Sequence, residues 1–322
     1  MDTIAVIGTG NIGSRHLEGL GKLSERTDIH FVDPNEKNRE RAKNLFLESS
    51  ENSGHKLTEH ANEKTLPRQL DVAILATTSK FRLQILKNLS KEHSIRHFII
   101  EKFAFQNEEH FSEAINLYQE QPTKMWINLN KRYSEFYNTI QGSTSTLSEG
   151  KMVVKGKNWG LICNAIHFID LYQFLFAVTP EKIDPSGLSR EIYESKRAGY
   201  SEIDGILKVS ACKDRYQLEI LCGQQYEDGI RVDINSPSFS ASYQEDTGET
   251  RVSDKSGVRS GNIPYFFQSK ITAGVCESLI RHDTCRLPPL TETMKAHLLF
   301  LKGMQNYYKT YHNKELETIP VP

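Results

Sequence analysis

Residues 3–33 read TIAVIGTGNIGSRHLEGLGKLSERTDIHFVD, and the order of features in this stretch decides the fold. Thr3–Ile7 is a short apolar run rich in β-branched residues, which is typical of a strand buried on both faces. The glycine turn Gly8–Gly13 follows directly, and leucines spaced three residues apart then indicate an amphipathic helix. A second apolar run, Ile29–Val32, ends on Asp33. The stretch therefore predicts strand, turn, helix and strand, the unit from which parallel α/β sheets are built.

Each part of this unit suits one part of a dinucleotide. Gly8 permits a tight turn, Gly10 lets the backbone approach a pyrophosphate, and Gly13 allows the helix to pack closely on the strand. The N–H groups at the start of the helix point toward the phosphates. The predicted cofactor-binding residues of the turn are Gly8, Gly10, Asn11, Ile12 and Gly13. A structural glycine turn in an α/β domain without a nucleotide is the alternative.

Asp33 bears on the choice of cofactor because it ends the second strand. Its carboxylate suits the adenosine ribose hydroxyls and would repel a 2′-phosphate. No arginine follows it directly, so the sequence favours NAD over NADP. Lys37 and Arg39 are near enough in sequence to keep NADP as the less favoured alternative.

Length and composition limit the class of protein. A chain of 322 residues exceeds one ordinary core, so two domains are expected. A formal net charge of −1 and a pI near 6.8 give no electrostatic reason to expect nucleic acid or an anionic membrane as partner. Five cysteines without CxxC spacing indicate reduced thiols in a cytoplasmic protein, with neither disulfides nor a metal site. We expect no signal peptide before the first strand and no membrane-spanning run.

The alternation of strands and helices continues until Gln121-Pro122 breaks it. Beyond residue 33, strands are predicted at 55–57, 71–77 and 97–102, and helices at 36–47, 81–89 and 108–118. The first of these strands is a short edge strand within the polar loop 49–67. Strands separated by helices imply a doubly wound parallel sheet with ligands at the carboxyl ends of the strands. We therefore expect an α/β dinucleotide-binding domain of Rossmann type at 1–122.

After Pro122 the pattern changes to short runs in which apolar and polar residues alternate. Such runs are typical of an antiparallel sheet with one covered face. Strands are predicted at 124–130, 206–211, 216–221, 229–234 and 239–243, and helices at 133–140, 163–176, 265–281 and 291–311. We expect an α+β domain with a largely antiparallel open sheet at 123–322. Its last helix is a candidate to pack back on the first domain.

Five short motifs run through both expected domains. They are GTGNIGSRH at 8–16, ATTSKFR at 76–82, EKFAF at 101–105, NKRY at 130–133 and CNAIHFID at 163–170. With these motifs the chain resembles the Gfo/Idh/MocA family of glucose–fructose oxidoreductase, inositol dehydrogenase and rhizopine-catabolism proteins. The family's usual forms are GxGxxGxxH, ATPxxxH, EKPLA, NxRR(F/Y) and DxGxHxxD. The first motif matches fully and the others match in part.

The resemblance implies catalytic roles for Lys102, His167 and Asp170. Lys102 occupies the position of the family's lysine beside the nicotinamide, where it bonds the substrate hydroxyl and eases the charge that develops on oxygen. His167 aligns with the family's active-site histidine, which takes the hydroxyl proton during oxidation or gives one during reduction. Asp170 either orients nearby polar groups or is a structural helix contact. A solvated lysine and a packed histidine are the alternatives for the other two.

Departures from the family's pattern bear on these roles. Phe103 stands where the family has a proline that often lies in a cis turn, which affects the expected position of Lys102. Cys163 replaces the aspartate one helical turn before the histidine, and Ala165 replaces a glycine. Without that carboxylate the imidazole loses a partner that raises its basicity. Either the substrate needs less base strength, or Asn164 or another group takes over, or proton transfer has been lost.

Further cofactor contacts are expected at the carboxyl ends of the predicted strands. Thr77, Thr78 and Ser79 line the nicotinamide ribose side of the pocket or cap a loop. Glu101 falls at the same edge of the sheet. Arg82 occupies the family's usual histidine position, and its contact with cofactor or substrate is left open.

Substrate contacts are expected from residues after residue 123. Asn130 reaches the substrate, whereas Arg132 either reaches it or is structural. Trp159 stacks on a sugar face or a nucleobase, or packs inside the domain or at an oligomer interface. The complete predicted substrate-binding set is Lys102, Asn130, Arg132, Trp159, Cys163, Asn164 and His167.

The sequence and the resemblance together predict an NAD-dependent oxidoreductase. It would move hydride between nicotinamide and a carbon–oxygen centre of a sugar, nucleotide sugar or cyclitol, for example in surface-polysaccharide biosynthesis. The alternative is a non-catalytic NAD(H)-binding regulatory or partner protein on the same scaffold. We expect a cytoplasmic homodimer or homotetramer that associates through the exposed face of the second domain's sheet.

Overall fold

The computed structural model describes residues 1–50, 54–195 and 199–321. The chain forms two compact units, Met1–Asn128 with Phe266–Glu292, and Leu129–Tyr265 with Thr293–Pro322. The expected boundary at 122 was wrong by six residues, because the strand Lys124–Ile127 pairs with the sheet of the first unit. The segment that returns to the first unit is Phe266–Glu292, and the last helix belongs almost wholly to the second.

The first unit is built on a six-stranded sheet in the order β3-β2-β1-β4-β5-β6. Its strands are β1 Thr3–Ile7, β2 Asp28–Val32, β3 Lys56–His60, β4 Gln69–Leu75, β5 Ser94–Ile100 and β6 Lys124–Ile127. All neighbouring strands run parallel, which confirms the doubly wound sheet. The strand order reverses between β1 and β4, and in such sheets this switch point is where ligands bind.

The helices of the first unit cover the sheet. They are α1 Asn11–Leu20, α2 Glu36–Ser49, α3 Ser79–Glu92, α4 Glu108–Leu117 and α7 Gln268–His282. The central strands are almost wholly buried, as the apolar runs predicted, with Ile4, Val6 and Ile74 inaccessible to solvent. The edge strand β3 is only half-buried, which fits its polar sequence. Part of the predicted loop 49–67 lies outside the described residues.

The second unit contains an eight-stranded sheet in the order β16-β15-β14-β13-β7-β12-β11-β8. Its strands are β7 Gly150–Gly156, β8 Lys182–Leu188, β11 Gly205–Ala211, β12 Tyr216–Cys222, β13 Ile230–Ser236, β14 Phe239–Gln244, β15 Glu249–Asp254 and β16 Gly257–Asn262. A separate two-stranded ladder joins β9 Tyr193–Glu194 to β10 Ser201–Glu202. Every pair in the large sheet is antiparallel except β7 with β12. The largely antiparallel second domain is confirmed.

β7 was not predicted as a strand, yet it lies inside the sheet between β13 and β12. Alternate residues of β7 are buried, but two of these four are glycines, Gly150 and Gly156, so only Met152 and Val154 contribute to an apolar pattern. Gly150 is required there, because an added Cβ would lie 2.4 Å from a ring carbon of Phe176. The glycine that makes the strand hard to recognise is therefore what lets the covering helix approach.

The helix α6, Leu161–Phe176, packs on β7 and β12, and α5 Glu135–Thr144 and α8 Leu290–His312 complete the second unit. The opposite face of the sheet is half-buried and charged. There Lys151 pairs with Glu219 at 2.9 Å, and Lys155 pairs with Asp233 at 3.3 Å. Throughout the part of the chain that the structure describes, no helix combines the length and apolar character needed to cross a membrane.

A histidine pair at the sheet edge of the first unit should make stability depend on pH. His30 Nδ1 and His60 Nε2 lie 2.9 Å apart. Burial lowers the pKa of both imidazoles from the ordinary value of 6.5, and a charge on His30 would lower that of His60 further. Because the unfolded state binds more protons than the folded state below about pH 6.5, these two histidines should leave the free energy of unfolding undiminished above that pH. It should fall as pH drops through the lowered folded pKa values.

Urea unfolding of the wild type and of His60→Gln between about pH 5 and 8 tests this expectation. The variant should lose stability less steeply on acidification, since one of the two depressed pKa values is gone. His282→Gln, at an exposed position of α7, is the matched control and should keep the wild-type pH dependence. Identical pH dependence in His60→Gln and the wild type would show that the pair does not control acid stability.

Candidate functional site

The glycine turn after β1 has a different steric requirement at each glycine. Gly8 has a positive φ of +89°, and a Cβ there would lie 2.7 Å from the Cγ2 atom of Thr77. At Gly13 a Cβ would lie 1.8 Å from the carbonyl oxygen of Gly8, which no side chain tolerates. Around Gly10, no heavy atom of the described residues other than its two chain neighbours lies within 4 Å of the Cβ position. At positions 8 and 13 only glycine leaves room for the neighbouring atoms. The backbone at Gly10 instead faces open space that a ligand can approach.

The first turn of α1 is suited to an anion. It carries no acidic residue, and no side chain in the described ranges caps it at Gly10. Its free N–H groups and the positive end of the helix dipole therefore favour a phosphate. The helix itself begins at Asn11, and Gly10 accepts its first hydrogen bond from Ser14 at 3.0 Å.

Asp33 lies beside this turn at the carboxyl end of β2, and only 6% of its surface is exposed. Its Oδ2 atom accepts the N–H of Thr9 at 2.8 Å. Its Oδ1 atom accepts the N–H of Asn35 at 2.9 Å and the side-chain amide of Asn38 at 3.2 Å. These bonds fix the orientation of the carboxylate, and the lone pairs that they leave suit ribose hydroxyls.

Threonine hydroxyls supply the remaining fit to a dinucleotide. The Oγ1 atoms of Thr9, Thr77 and Thr78 are buried and have no hydrogen-bond partner in the described chain. Buried hydroxyls are rarely left without a partner, so such a group calls for a water or a ligand. Thr9 follows β1, and the other two follow β4, so they flank the switch point of the sheet. Ser79 begins α3 and is buried.

Lys102 directly follows Glu101 at the carboxyl end of β5 and is half-buried. The structure corrects the expectation for Glu101, whose carboxylate points into the interior. It accepts a hydrogen bond from Asn128 and lies 2.9 Å from His16 Nε2. Burial alone would raise the pKa of Glu101, but the bonds with His16 and Asn128 hold that pKa below its ordinary value. Glu101 therefore anchors the Lys102 turn and does not present its side chain to a cofactor.

Arg82 is almost completely buried and binds the backbone of the same turn. Its guanidinium donates to the carbonyl oxygens of Thr77, Glu101, Lys102, Phe103 and Ala104. The bond to Thr77 measures 2.7 Å from Nη2. The Lys102–Phe103 peptide bond is cis. Arg82 thus contacts the backbone that carries Lys102, a role that its position in the motif did not reveal.

In the second unit, α6 carries the predicted histidine. Of its first ten residues only Asn164 and His167, three positions apart, are half-buried rather than buried, so they share a partly exposed face. The side-chain amide nitrogen of Asn164, Nδ2, donates to the carbonyl oxygens of Trp159 and Gly160, both at 2.9 Å. Asn164 therefore holds the loop before α6, which argues against its replacing the family's aspartate.

A carboxylate from another element contacts the start of α6. Glu202 in β10 is buried and accepts the N–H groups of Ile162 at 2.9 Å and of Cys163 at 3.1 Å. A carboxylate at a helix N-terminus satisfies two free donors and the helix dipole. The sequence offered no signal for this contact, because β10 is two residues long and 39 positions from Cys163.

Asp170 and Arg132 bind each other, which changes the role expected of both. Arg132 Nε lies 2.9 Å from Asp170 Oδ2, and Nη2 lies 2.6 Å from Oδ1. The side chains are 0% and 8% exposed for Asp170 and Arg132 respectively. This buried bidentate pair joins α6 to the 3-10 turn Asn130–Tyr133. The geometry assigns Asp170 to positioning rather than to direct catalysis. It also favours a structural role for Arg132 over contact with the substrate.

Two other side chains near α6 also have packing roles. Lys131 forms a buried ion pair with Glu245 at 2.6 Å and lies 4.2 Å from the ring centre of Phe168, a cluster that the sequence did not reveal. Trp159 donates its indole N–H to the carbonyl of Leu221 at 3.1 Å and contacts Phe168 edge to face. Trp159 is half-buried, and these contacts favour a packing role inside the unit over stacking on a substrate.

The structure therefore gathers the predicted residues into two groups. In the first unit the glycine turn, Asp33, the threonines and Lys102 lie at the carboxyl ends of neighbouring strands. In the second unit Cys163, Asn164 and His167 lie on α6, and Asn130 lies on the 3-10 turn that is tied to it by Arg132.

No family model and no curated protein matches the chain. Solved structures do match it along nearly its whole length. UDP-N-acetylglucosamine 3-dehydrogenase GnnA from Acidithiobacillus ferrooxidans is 14% identical, with a TM-score of 0.70 over 94% of this chain and 96% of that one. An oxidoreductase from Agrobacterium radiobacter in complex with NAD+, L-tartaric acid and magnesium is 11% identical, with a TM-score of 0.73 over 97% of each chain.

A third similar structure is that of a regulator. The transcriptional regulator Gal80p from Kluyveromyces lactis is 13% identical, with a TM-score of 0.68 over 95% of this chain and 92% of that one. Enzymes and a regulator therefore share this architecture, so the fold alone does not decide function. The chain has the fold of the Gfo/Idh/MocA-type proteins, as its motifs predicted.

Proposed function

We propose that the protein is an NAD-dependent oxidoreductase that transfers hydride between nicotinamide and a carbon–oxygen centre of a sugar, nucleotide sugar or cyclitol. One observation carries the proposal, namely the dinucleotide-shaped cradle at the switch point. There the backbone at Gly10 is open to a ligand and the first turn of α1 is uncapped. The Oγ1 atoms of Thr9, Thr77 and Thr78 have no hydrogen-bond partner among the described residues, and the N–H of Thr9 orients the carboxylate of Asp33.

The residues of the cradle would hold the cofactor as follows. The turn Gly8–Gly13 binds the pyrophosphate through its N–H groups, and Asp33 accepts the adenosine ribose hydroxyls. Thr77, Thr78 and Ser79 contact the nicotinamide ribose side. The nicotinamide supplies a hydride acceptor or donor when it is bound.

In this proposal Lys102 and His167 are the catalytic residues. Lys102 donates a hydrogen bond to the reacting oxygen of the substrate and stabilises its alkoxide charge, which forms when the hydroxyl proton leaves during oxidation or when hydride reaches the carbonyl carbon during reduction. His167 removes the hydroxyl proton during oxidation and returns one during reduction. Asp170 acts through Arg132 and α6, so it positions the histidine helix without touching substrate.

The second candidate is a non-catalytic dinucleotide-binding regulator. Cys163 favours it, because no carboxylate side chain stands at that position one turn before His167. The Gal80p structures, from two yeasts, support the possibility of such a role on this fold. Glu202 favours the enzyme instead, since this residue of β10 brings a carboxylate to the backbone N–H of Cys163.

The deciding experiment begins with purified protein. Its bound NAD(H) is measured, and the absorbance of the reduced cofactor is then followed with a panel of sugars, nucleotide sugars and cyclitols. Turnover that disappears in both Lys102→Ala and His167→Ala supports the enzyme. Dinucleotide binding without turnover on any panel member supports the regulator. Failure to bind NAD(H) or NADP(H) excludes both.

Cofactor preference should change when Asp33 is replaced. Asp33→Ala combined with Pro34→Arg removes the carboxylate that repels a 2′-phosphate and adds a cation next to it, so we expect the ratio of NADPH to NADH affinity to rise at least tenfold. The single variant Asp33→Asn is the control, because it keeps a side chain that can accept the Thr9 N–H. Unchanged selectivity in the double variant contradicts the placement of the ribose at Asp33.

We also propose that the protein is a cytoplasmic homo-oligomer that associates through the charged face of its eight-stranded sheet. Lys151→Glu reverses one charge in the ladder with Glu219 and should weaken a self-complementary interface by like-charge repulsion. Light scattering at micromolar concentration should give a dimer or tetramer for the wild type and a smaller mass for the variant. A monomeric wild type contradicts the proposal.

A further inference from the structure

Arg41 on α2 extends to the glycine turn of the first unit. Its Nη1 atom donates to Asn11 Oδ1 at 3.2 Å, and its Nη2 atom donates to the Thr9 carbonyl at 3.3 Å. A third contact, from Nη2 to Ser14 Oγ, measures 3.5 Å. Arg41 therefore lies beside the two residues that flank Gly10, although it is 28 positions from Gly13 in the sequence.

The three hydrogen-bond partners of Arg41 are all neutral oxygens. Arg15, Arg96 and Arg281 each lie within ion-pair distance of a carboxylate, namely Glu18, Asp71 and Glu25. Arg41 has no such carboxylate partner among residues 1–50, 54–195 and 199–321. A guanidinium binds carboxylates and phosphates more strongly than neutral oxygens, since its planar donors match their geometry and charge.

The surroundings of Arg41 favour a phosphate as the missing anion. The uncapped first turn of α1 attracts negative charge, and the space at Gly10 is open. Asn11, which accepts from Arg41, is the first residue of that turn. The cation of Arg41 therefore lies beside the short segment that carries the free helical N–H groups and the buried Thr9 hydroxyl, which has no hydrogen-bond partner among the described residues.

We infer that Arg41 is a phosphate-binding residue of the dinucleotide site. This inference rests on the proposed function, and it adds a contact from α2 that the glycine motif does not contain. On binding, the guanidinium exchanges its long bonds to neutral oxygens for charge-assisted bonds to a phosphate. The phosphate is either the diphosphate bridge, which NAD and NADP share, or the 2′-phosphate of NADP.

Titrations of the full-length protein with NADH, NADPH, ADP-ribose and adenosine test the inference. Arg41→Ala should retain its fold, because the position is exposed on a helix and alanine favours helices. We expect its affinity for phosphate-containing ligands to fall roughly tenfold or more, as for a lost charge-assisted hydrogen bond. Arg41→Lys should recover part of the loss. Lys43→Ala, an exposed cation on the same helix, should bind like the wild type.

The ligands distinguish the two sources of phosphate. Equal losses with NADH, NADPH and ADP-ribose identify the diphosphate, whereas a loss with NADPH alone identifies the 2′-phosphate. Unchanged affinities in Arg41→Ala overturn the inference and leave the proposed function standing. An equal loss with adenosine also overturns it, since that pattern indicates a general structural role. A wild-type protein that binds none of the dinucleotides overturns the inference and the proposed function together.

Discussion

Lys102→Ala should lower the turnover number of the proposed oxidoreductase by roughly a hundred- to a thousandfold, the usual cost of removing one donor to a developing oxyanion. The lysine is proposed to contact the reacting oxygen and not the cofactor diphosphate or the adenosine ribose. The dissociation constant for NADH should therefore change little. A large loss of turnover with unchanged cofactor affinity is the signature of an interaction made mainly in the transition state.

The measurement compares single-turnover rates and NADH dissociation constants for the wild type, Lys102→Ala and Lys91→Ala. Lys91 is an exposed lysine near the end of α3 and should leave both quantities unchanged. If Lys102→Ala retains more than a tenth of the wild-type rate, the lysine does not contact the reacting oxygen. If its rate is intact while NADH affinity falls, Lys102 is a cofactor ligand and the proposed chemistry needs another donor.

Local sequence patterns were sufficient to predict the fold of the first unit. The glycine turn and Asp33 were predictable because each requirement is met by the backbone within one βαβ unit. The steric contacts at Gly8 and Gly13 then account for the motif at atomic level. The parallel order of the sheet also followed, since helices separate the strands and restrict the crossovers.

Contacts between residues distant in sequence were not predictable in the same way. Glu101 belongs to a motif that was expected to contact the cofactor and substrate, yet its carboxylate is bound by His16 from α1 and by Asn128. Arg82 binds four consecutive carbonyls that lie about twenty positions later in the chain. A motif records which residue type is present, whereas the direction of a side chain depends on partners that only the tertiary structure brings near.

The second unit shows the same limit in its secondary structure. Alternation predicted β11 and β12 because both have one clearly apolar face. It failed for β7, where glycines end the strand on both sides and lysines interrupt it. β7 and the end of α5 together occupy most of the region 141–160, and β7 packs against α6, the helix that carries His167.

The buried pair of Arg132 and Asp170 should be the most sensitive point of the second unit. Replacing either partner alone, as in Arg132→Met or Asp170→Leu, leaves one buried charge without its counterion. Such a change typically costs about 3–5 kcal/mol of unfolding free energy. The double variant removes both charges and fills the space with apolar side chains of similar volume. It should therefore recover most of the loss, because the desolvation penalty of the remaining partner is gone.

Urea unfolding of the wild type, both single variants and the double variant measures this coupling. Lys182→Met, which removes one partner of an exposed pair with Asp214, is the control and should have a far smaller effect. Since the pair ties α6 to the turn that carries Asn130, the double variant also separates stability from positioning. If it folds stably but loses turnover while keeping NADH affinity, the pair orients the substrate-facing residues. If each single variant is as stable as the wild type, the ion pair does not hold this unit together.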